Sequence, residues 1–337
     1  MKTKRYPSVT FVIATYNSSR TIEKCLKSVY QQQYSGRVEI IIADGGSIDR
    51  TLKIAQSYGA TVIPVSQKKQ NAEYNKGIGV NRVKTDLIAM VDHDNELPHP
   101  QWLKNMVDPL LAERESIGSA VNRFGYDRTM SLLDRYFALI GTLDPVTLFF
   151  NKSAHQSYLY SSFNLRGTVL KKTKQYTYIS FSPDYIPALG GNGCLLWRKY
   201  LRYAKHDPKH FFHIDIHVDI IKHGFNKYCF VNETIRHYSN NTFFSFLKRR
   251  MYYVDKYYYK DLSRRRYSIY EPGKDQKRLV LFVLYAVSFV VPLYQSVRGF
   301  SKIPDVAWFI HPFMCWAILV AYGVPAVKYK LYGLFQK

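Results

Sequence analysis

Apolar and polar positions alternate between two periods over the first hundred residues. Ser8-Val-Thr-Phe-Val-Ile-Ala14, Val38-Glu-Ile-Ile-Ile-Ala43, Thr61 to Val65 and Leu87-Ile-Ala-Met-Val91 are short runs that read as buried strands. Between them, Ile22, Cys25, Leu26 and Val29 recur at helical spacing behind the capping residues Ser18, Ser19 and Thr21. Thr51–Tyr58 and Asn71–Val83 read as further helices. Strands alternating with helices in this way predict a parallel α/β sheet with right-handed crossovers. A helix pattern follows over Trp102–Ala112. Residues 123–188 are less regular, with an amphipathic stretch from Arg128 to Phe150 carried by Met130, Leu133, Phe137 and Ile140. Phe230 to Ser239 reads as a strand leading to His237.

The last hundred residues change character. Phe243-Phe-Ser-Phe-Leu-Lys248-Arg249-Arg250-Met-Tyr-Tyr combines apolar, aromatic and basic residues, the pattern of a helix lying in a membrane interface. Arg264-Arg265-Arg266 adds a second basic cluster. Two charge-free runs follow, Leu279–Gln295 and Val306–Val327, with His311 the most polar member of the second. They read as a transmembrane helix pair, the first at the lower limit of length, or as buried or re-entrant helices. Pro292, Pro312 and Pro325 would kink them, which membranes tolerate. Lys274, Lys277 and Arg278 precede the pair and Lys328, Lys330 and Lys337 follow it, with only Arg298 and Lys302 between. The positive-inside rule then places both termini in the cytoplasm.

Charge sharpens this picture. The chain carries 48 Lys and Arg against 25 Asp and Glu, a formal charge of +23. Such an excess calls for an anionic partner: nucleic acid, an anionic membrane or a phosphorylated substrate. The 29 tyrosines and 20 phenylalanines fit a lipid–water interface. Cys25, Cys194, Cys229 and Cys315 are far apart, which argues against a disulfide framework or a zinc knuckle. The N-terminal Met-Lys-Thr-Lys-Arg-Tyr-Pro lacks the apolar stretch of a signal peptide, so the first domain is expected to stay in the cytosol.

The candidate chemistry gathers at strand ends. In an open α/β sheet, ligands bind outside the carboxyl ends of the strands. Three of these strands end at Thr15-Tyr16-Asn17, at Asp44-Gly-Gly-Ser-Ile-Asp49 and at Asp92-His93-Asp94. Two carboxylates one residue apart suit a hard divalent cation, Mg²⁺ or Mn²⁺, which in turn could hold a diphosphate. Further on, Gly190-Gly191-Asn192-Gly193 precedes a strand and the Arg198-Lys199 pair. Its glycines allow close backbone approach to a ligand. In Phe212-His213-Ile-Asp215-Ile-His217-Val-Asp219, the His and Asp side chains face one way at period two, which mimics a metal site. At helical spacing, Asp215 and Asp219 share a face, as do His213 and His217.

Thr-Phe-Val-Ile-Ala-Thr15-Tyr16-Asn17, Ile-Ile-Ile-Ala-Asp44-Gly-Gly-Ser47-Ile-Asp49-Arg-Thr51, Asn71-Ala-Glu-Tyr-Asn75-Lys-Gly77-Ile and Val-Asp92-His-Asp94-Asn resemble, in order and spacing, the successive motifs of family 2 glycosyltransferases. The resemblance is close over residues 6–105 and looser to about 240. It implies a GT-A fold: a Rossmann-like, mostly parallel sheet with flanking helices. It implies that Thr15, Tyr16, Asn17 and Asp44 hold the nucleoside, that Asp92 lies near ribose and metal, and that Asp94 binds the metal. Asn75 is either a nucleotide ligand or a structural helix residue. His237 would complete the metal shell. Gly191, Asn192 and Gly193 would form the acceptor-side loop beside the donor sugar, and Lys248, Arg249 and Arg250 would reach the diphosphate. Counted back from Gly224, Asp215 falls on the second acidic position of the family's motif and is expected to be the general base, with Asp219 the alternate. Phe212 and His213 stand where the family carries an acidic pair.

The expectation is therefore a catalytic domain over 1–240 (donor half about 6–122, acceptor half about 123–240). Basic aromatic interfacial helices would occupy 241–275 and a transmembrane hairpin 276–337. The expected activity is metal-dependent, inverting transfer of a sugar from a nucleotide diphosphate donor to a membrane-associated acceptor, a polyprenyl-linked saccharide, at the cytoplasmic face of the cell membrane. A polyprenyl-phosphate monoglycosyltransferase is the nearest alternative. A basic protein binding nucleotide or anionic lipid is the non-enzymatic one, and nucleic acid is not an expected partner.

Overall fold

The computed structural model describes residues 5–162, 164–239, 241–260, 264–271 and 273–335. Lys337, expected to flank the last apolar run, lies outside them. In chain order the strands are β1 (Val9–Thr15), β2 (Val38–Asp44), β3 (Thr61–Pro64), β4 (Leu87–Met90), β5 (Asn95–Glu96), β6 (Gly118–Phe124), β7 (Thr168–Lys172), β8 (Tyr176–Ser180), β9 (Cys194–Trp197) and β10 (Lys227–His237). The α-helices are α1 (Ile22–Tyr30), α2 (Thr51–Ser57), α3 (Ala72–Val80), α4 (Trp102–Ala112), α5 (Leu132–Ile140), α6 (Pro145–Phe149), α7 (His213–Lys222), α8 (Phe243–Val254), α9 (Gln276–Ser288), α10 (Val290–Lys302) and α11 (His311–Phe335).

The chain forms two compact units, one of residues 1–125 and 166–238, the other of 126–165 and 239–337. They do not follow the linear division at 240 and 275. The amphipathic stretch 128–150 belongs with the C-terminal part because its apolar face needs a helical partner: Phe137 of α5 packs on Phe246 of α8, ring centroids 4.9 Å apart.

In the first unit the strands make one mixed sheet in the order β3-β2-β1-β4-β9-β6-β10-β8-β7, with β5 paired to β10. From β3 to β4 all pairings are parallel; β9 enters antiparallel between β4 and β6. The switch follows from the chain path, because parallel neighbours need a crossover. Strand β1 is buried at all seven positions, which is why it reads as a mostly apolar run, with Thr10 and Thr15 its polar members. Helix α3 can lie close against it because Gly79 has no side chain: a Cβ there would stand 2.6 Å from Val12 Cγ1.

In the second unit, the segment Val306–Tyr329 is long and apolar enough to cross a membrane, about 36 Å at helical rise. His311 in this segment is satisfied on both ring nitrogens: Nδ1 lies 2.9 Å from the Tyr136 hydroxyl and Nε2 lies 2.9 Å from the Tyr285 hydroxyl and from Gln295 Oε1. The expected span over 279–295 is not one straight helix. Helices α9 and α10 meet at 71°, and neither half alone reaches the roughly 30 Å of a bilayer core. The break is at Phe289, whose φ is 58°, and not at the expected Pro292. Pro292 sits in the first turn of α10, where a helix needs no N–H donor. Among the described residues one helix is long and apolar enough to cross a membrane, or two if the bent pair is one broken span, so the multi-pass hairpin and the placement of both termini in the cytoplasm are without support. Along the bent pair Val280, Leu281, Leu284, Val287, Val290 and Val297 are exposed.

Candidate active site

Parallel pairing aligns the carboxyl ends of the strands. Thr15 is in register with Asp44, and β4 runs alongside β1, so the turns that the sequence singled out share one edge of the sheet. At that edge Asp44 organises the first turn. Its Oδ1 accepts from Thr15 Oγ1 at 2.8 Å and Ser47 Oγ at 2.5 Å; its Oδ2 accepts from the Gly46 and Ser47 backbone N–H at 2.9 and 2.7 Å. The carboxylate is 2% exposed and its acceptor capacity is spent inside this Asx turn. Asn17, with φ 49°, accepts from the Ile48 N–H at 2.9 Å and ties the two strand ends together. Tyr16 is exposed beside them. Asn75 donates to the Thr15 carbonyl at 3.5 Å, and its buried Oδ1 has no partner.

The acidic turn after β4 is held by Asn95, whose side chain accepts from the Asp92 N–H at 2.9 Å while its own N–H donates to the Asp92 carbonyl at 2.9 Å. Strand β5 then pairs antiparallel with β10, which sets His237 opposite Asn95 and beside Asp94. His237 Nε2 is 3.4 Å from Asp94 Oδ2. Asp94 Oδ1 and His237 Nδ1 are buried and, among the described residues, have no partner. Among the described residues no group of three or more His, Cys, Asp or Glu is placed to hold a metal ion by itself. The donor set is one carboxylate and one imidazole with lone pairs to spare. It fits Mg²⁺ or Mn²⁺, which are commonly held by one or two carboxylates together with substrate phosphates.

Asp92 turns elsewhere. Its Oδ1 is 2.6 Å from Lys76 Nζ, a partner no local pattern points to. Burial alone would raise the Asp92 carboxyl and lower the Lys76 ammonium. The pairing outweighs it in both, so Asp92 is held below the usual carboxylate range and Lys76 is raised. One turn before Lys76, Glu73 meets His213: its Oε1 is 2.8 Å from His213 Nδ1, and its Oε2 accepts the His213 backbone N–H at 3.0 Å. Burial pushes the Glu73 carboxyl up. The positive fields of His213 and Lys76, with the hydrogen bonds from His213, more than offset it and hold the group at about 2 against an ordinary 4.5.

A depressed folded-state pKa contributes stability that is present above the unfolded value and lost as the pH falls. For Glu73 the loss spans pH 4.5 down to about 2. Melting temperature measured across that window should fall more steeply in the wild-type chain than in Glu73→Gln.

The glycine loop lies at the same edge. The Gly193 N–H donates to the Met90 carbonyl at the end of β4, at 3.1 Å. Gly190, Asn192 and Gly193 have φ of 105°, 46° and 87°, which fits the choice of glycine and asparagine there. His213–Lys222 is helical, so the period-two reading of its His and Asp residues fails. Asp215 in the first turn of α7 is 0% exposed, and Asp219 accepts the Lys205 N–H at 2.9 Å. In the second unit, Lys248 and Arg249 are exposed on α8, while Arg250 lies 3.5 Å from Asp144 and donates to the Leu143 carbonyl. The sequence left Glu73, Lys76 and His213 without a role. Two charged residues on a helix otherwise facing the sheet with glycines were the available signal.

Residues 10–173 match the family described as Glycosyl transferase family 2. Among curated relatives, glycosyltransferase AglE of Haloferax volcanii is 27% identical over 139 residues, 40% of this chain and 45% of that one. A 4,4'-diaponeurosporenoate glycosyltransferase of Staphylococcus aureus is 37% identical over 93 residues, 26% of this chain and 24% of that one. The match thus spans less than half the length of these relatives. Among solved structures, the mannosyltransferase PcManGT of Pyrobaculum calidifontis in complex with GDP-Man and Mn²⁺ superposes with a TM-score of 0.52 at 14% identity, covering 95% of this chain and 86% of that one. Residues 10–173 are thus similar to glycosyl transferase family 2, and the sheet that carries them has the fold of the mannosyltransferase.

Proposed function

We propose that the chain transfers a sugar, with inversion, from a nucleoside diphosphate donor to a hydroxyl of a membrane-associated acceptor, a polyprenyl-linked saccharide, and that it does so with a divalent cation. The observation that carries this reading is the buried, unpartnered Asp94 Oδ1 beside His237 at the edge where three strands end. Asp94 and His237 would hold the cation, and bound there it would supply Lewis-acid neutralisation of the departing diphosphate. Thr15, Tyr16, Asn17 and Asn75 border the nucleoside. Asp44 shapes their turn, since its lone pairs are already engaged. Lys76 orients Asp92 toward the same edge. Gly191, Asn192 and Gly193 form the acceptor-side wall. The complex of the mannosyltransferase with GDP-Man and Mn²⁺ supports the donor class.

Membrane association is supported by the apolar segment Val306–Tyr329 and by the exposed apolar residues of the bent α9–α10 pair. The exposed Lys248 and Arg249 suit anionic lipid or acceptor groups. The test incubates the full chain with labelled UDP- and GDP-sugars, Mn²⁺ and a polar lipid extract. Label should move into a lipid-soluble saccharide and cease with excess chelator. Label on a polyprenyl phosphate instead would select the monoglycosyltransferase alternative, and transfer undiminished by chelator would refute the cation.

A further inference from the structure

Transfer to a neutral hydroxyl needs a group to take its proton, and the residue favoured by motif spacing, Asp215, is sealed from solvent. Two positions earlier in the same helix, His213 keeps 18% side-chain exposure. Its ring is fixed from three sides. Nδ1 faces both Glu73 oxygens, at 2.8 and 3.0 Å. The Phe212 ring stacks on it, centroids 5.0 Å apart at 22°. The Nε2 edge is turned to Gly191, where a Cβ would lie 3.2 Å from that nitrogen. An ionised carboxylate only accepts, so the Glu73 contact keeps a proton on Nδ1 in either charge state of the ring, and Nε2 is the nitrogen that gains or gives up a proton toward the glycine loop. His217, one turn along, does not compete. Burial and the field of His213 push it down to about 3, and its Nδ1 lies 2.7 Å from the Tyr228 hydroxyl. The charged groups around His213 are Glu73 and Lys76 of α3 and Asp92 after β4.

We propose that His213 is the general base of this glycosyltransferase and that Glu73 is its positioning residue. The inference rests on the transfer to a hydroxyl set out above. The acceptor oxygen forms its bond to the anomeric carbon of the sugar. The bond from that carbon to the diphosphate oxygen breaks, and its electron pair leaves with the nucleoside diphosphate. The hydroxyl proton passes to His213 Nε2. Glu73 keeps Nδ1–H in place and balances the imidazolium that forms. A histidine oriented by a buried carboxylate is a well-precedented base, and such assistance is worth about 10²–10⁴ in rate.

The experiment uses the full chain in detergent, UDP- and GDP-sugars with Mn²⁺, a polar lipid extract, and release of nucleoside diphosphate as readout. His213→Gln should lower kcat by about 10²–10⁴ while leaving the Kd for UDP or GDP essentially unchanged. Added imidazole should raise the rate of His213→Ala, a recovery that a structural role would not produce. Glu73→Gln should lower kcat less than His213→Gln. If His213→Gln binds nucleotide and turns over at the wild-type rate, or if folded Asp215→Asn alone is inactive, His213 is not the base. If the wild-type chain binds neither UDP nor GDP with Mn²⁺, the transferase reading beneath the proposal fails first, and the two failures are told apart by that binding measurement.

Discussion

Asp94→Asn should abolish sugar transfer and leave the fold intact. Among the described residues the side chain is almost unused structurally: Oδ1 has no partner, and Oδ2 has His237 at 3.4 Å. The backbone contact at this position, the Asp94 carbonyl accepting from Tyr238 N–H at 2.8 Å, survives the substitution. On the proposed reading, what is lost is the negative charge that would offset a cation beside a diphosphate. Removing Lewis-acid assistance of this kind forfeits several kcal/mol of transition-state stabilisation, at least about a thousandfold in rate. His237→Ala should cost less, because it removes a neutral donor. Rates with the active nucleotide sugar, set beside the melting temperature of each variant, check both expectations. A melting point lowered as much as that of a core variant would give Asp94 a structural role.

The largest effect on stability is expected at Lys76. Its side chain is 6% exposed and that of Asp92 is 29% exposed, so Lys76→Met strands a mostly buried carboxylate. Breaking a fully buried pair from one side costs about 3–5 kcal/mol; the partial exposure of Asp92 places this pair at or below the lower end. Adding Asp92→Asn to Lys76→Met should recover much of the loss, because it removes the uncompensated charge. Denaturant melts of the two single variants and the double variant measure the coupling directly. Strict additivity would mean that the pair contributes nothing beyond its separate members.

How far the sequence could be read differs between these elements for a physical reason. Strand β4 is apolar throughout and β1 and β2 nearly so, broken by Thr10 and Glu39, because inner strands of the sheet are covered on both faces, and their polar ends mark where the covering stops. His237 stood out at the end of the strand that became β10, and the structure sets it 3.4 Å from Asp94. The partnership of Glu73 with His213 was not, since it joins residues 140 apart and no period of 2 or 3.6 encodes it. The same holds for Lys76, which looked like an ordinary helix residue until α3 packed on the sheet. Asp44 looked free to read a base because a carboxylate before two glycines gives no sign that three donors from its own turn and Thr15 Oγ1 from the end of β1 already engage it. The bend at Phe289 was hidden behind Pro292, the residue that sequence rules mark for breaking helices. The stretch 126–165 carries an amphipathic signal, but a hydrophobic stripe does not name its partner, and the partner lies beyond residue 239.

The most direct measurement is calorimetric titration of UDP and GDP into the purified full chain, with Mn²⁺ and then with excess chelator, repeated on Asp94→Asn. One of the two nucleotides should bind at one site per chain with Mn²⁺, and the heat should vanish both in chelator and in Asp94→Asn. Binding that is undiminished in chelator, or unaltered in Asp94→Asn, would contradict the site built at Asp94 and His237.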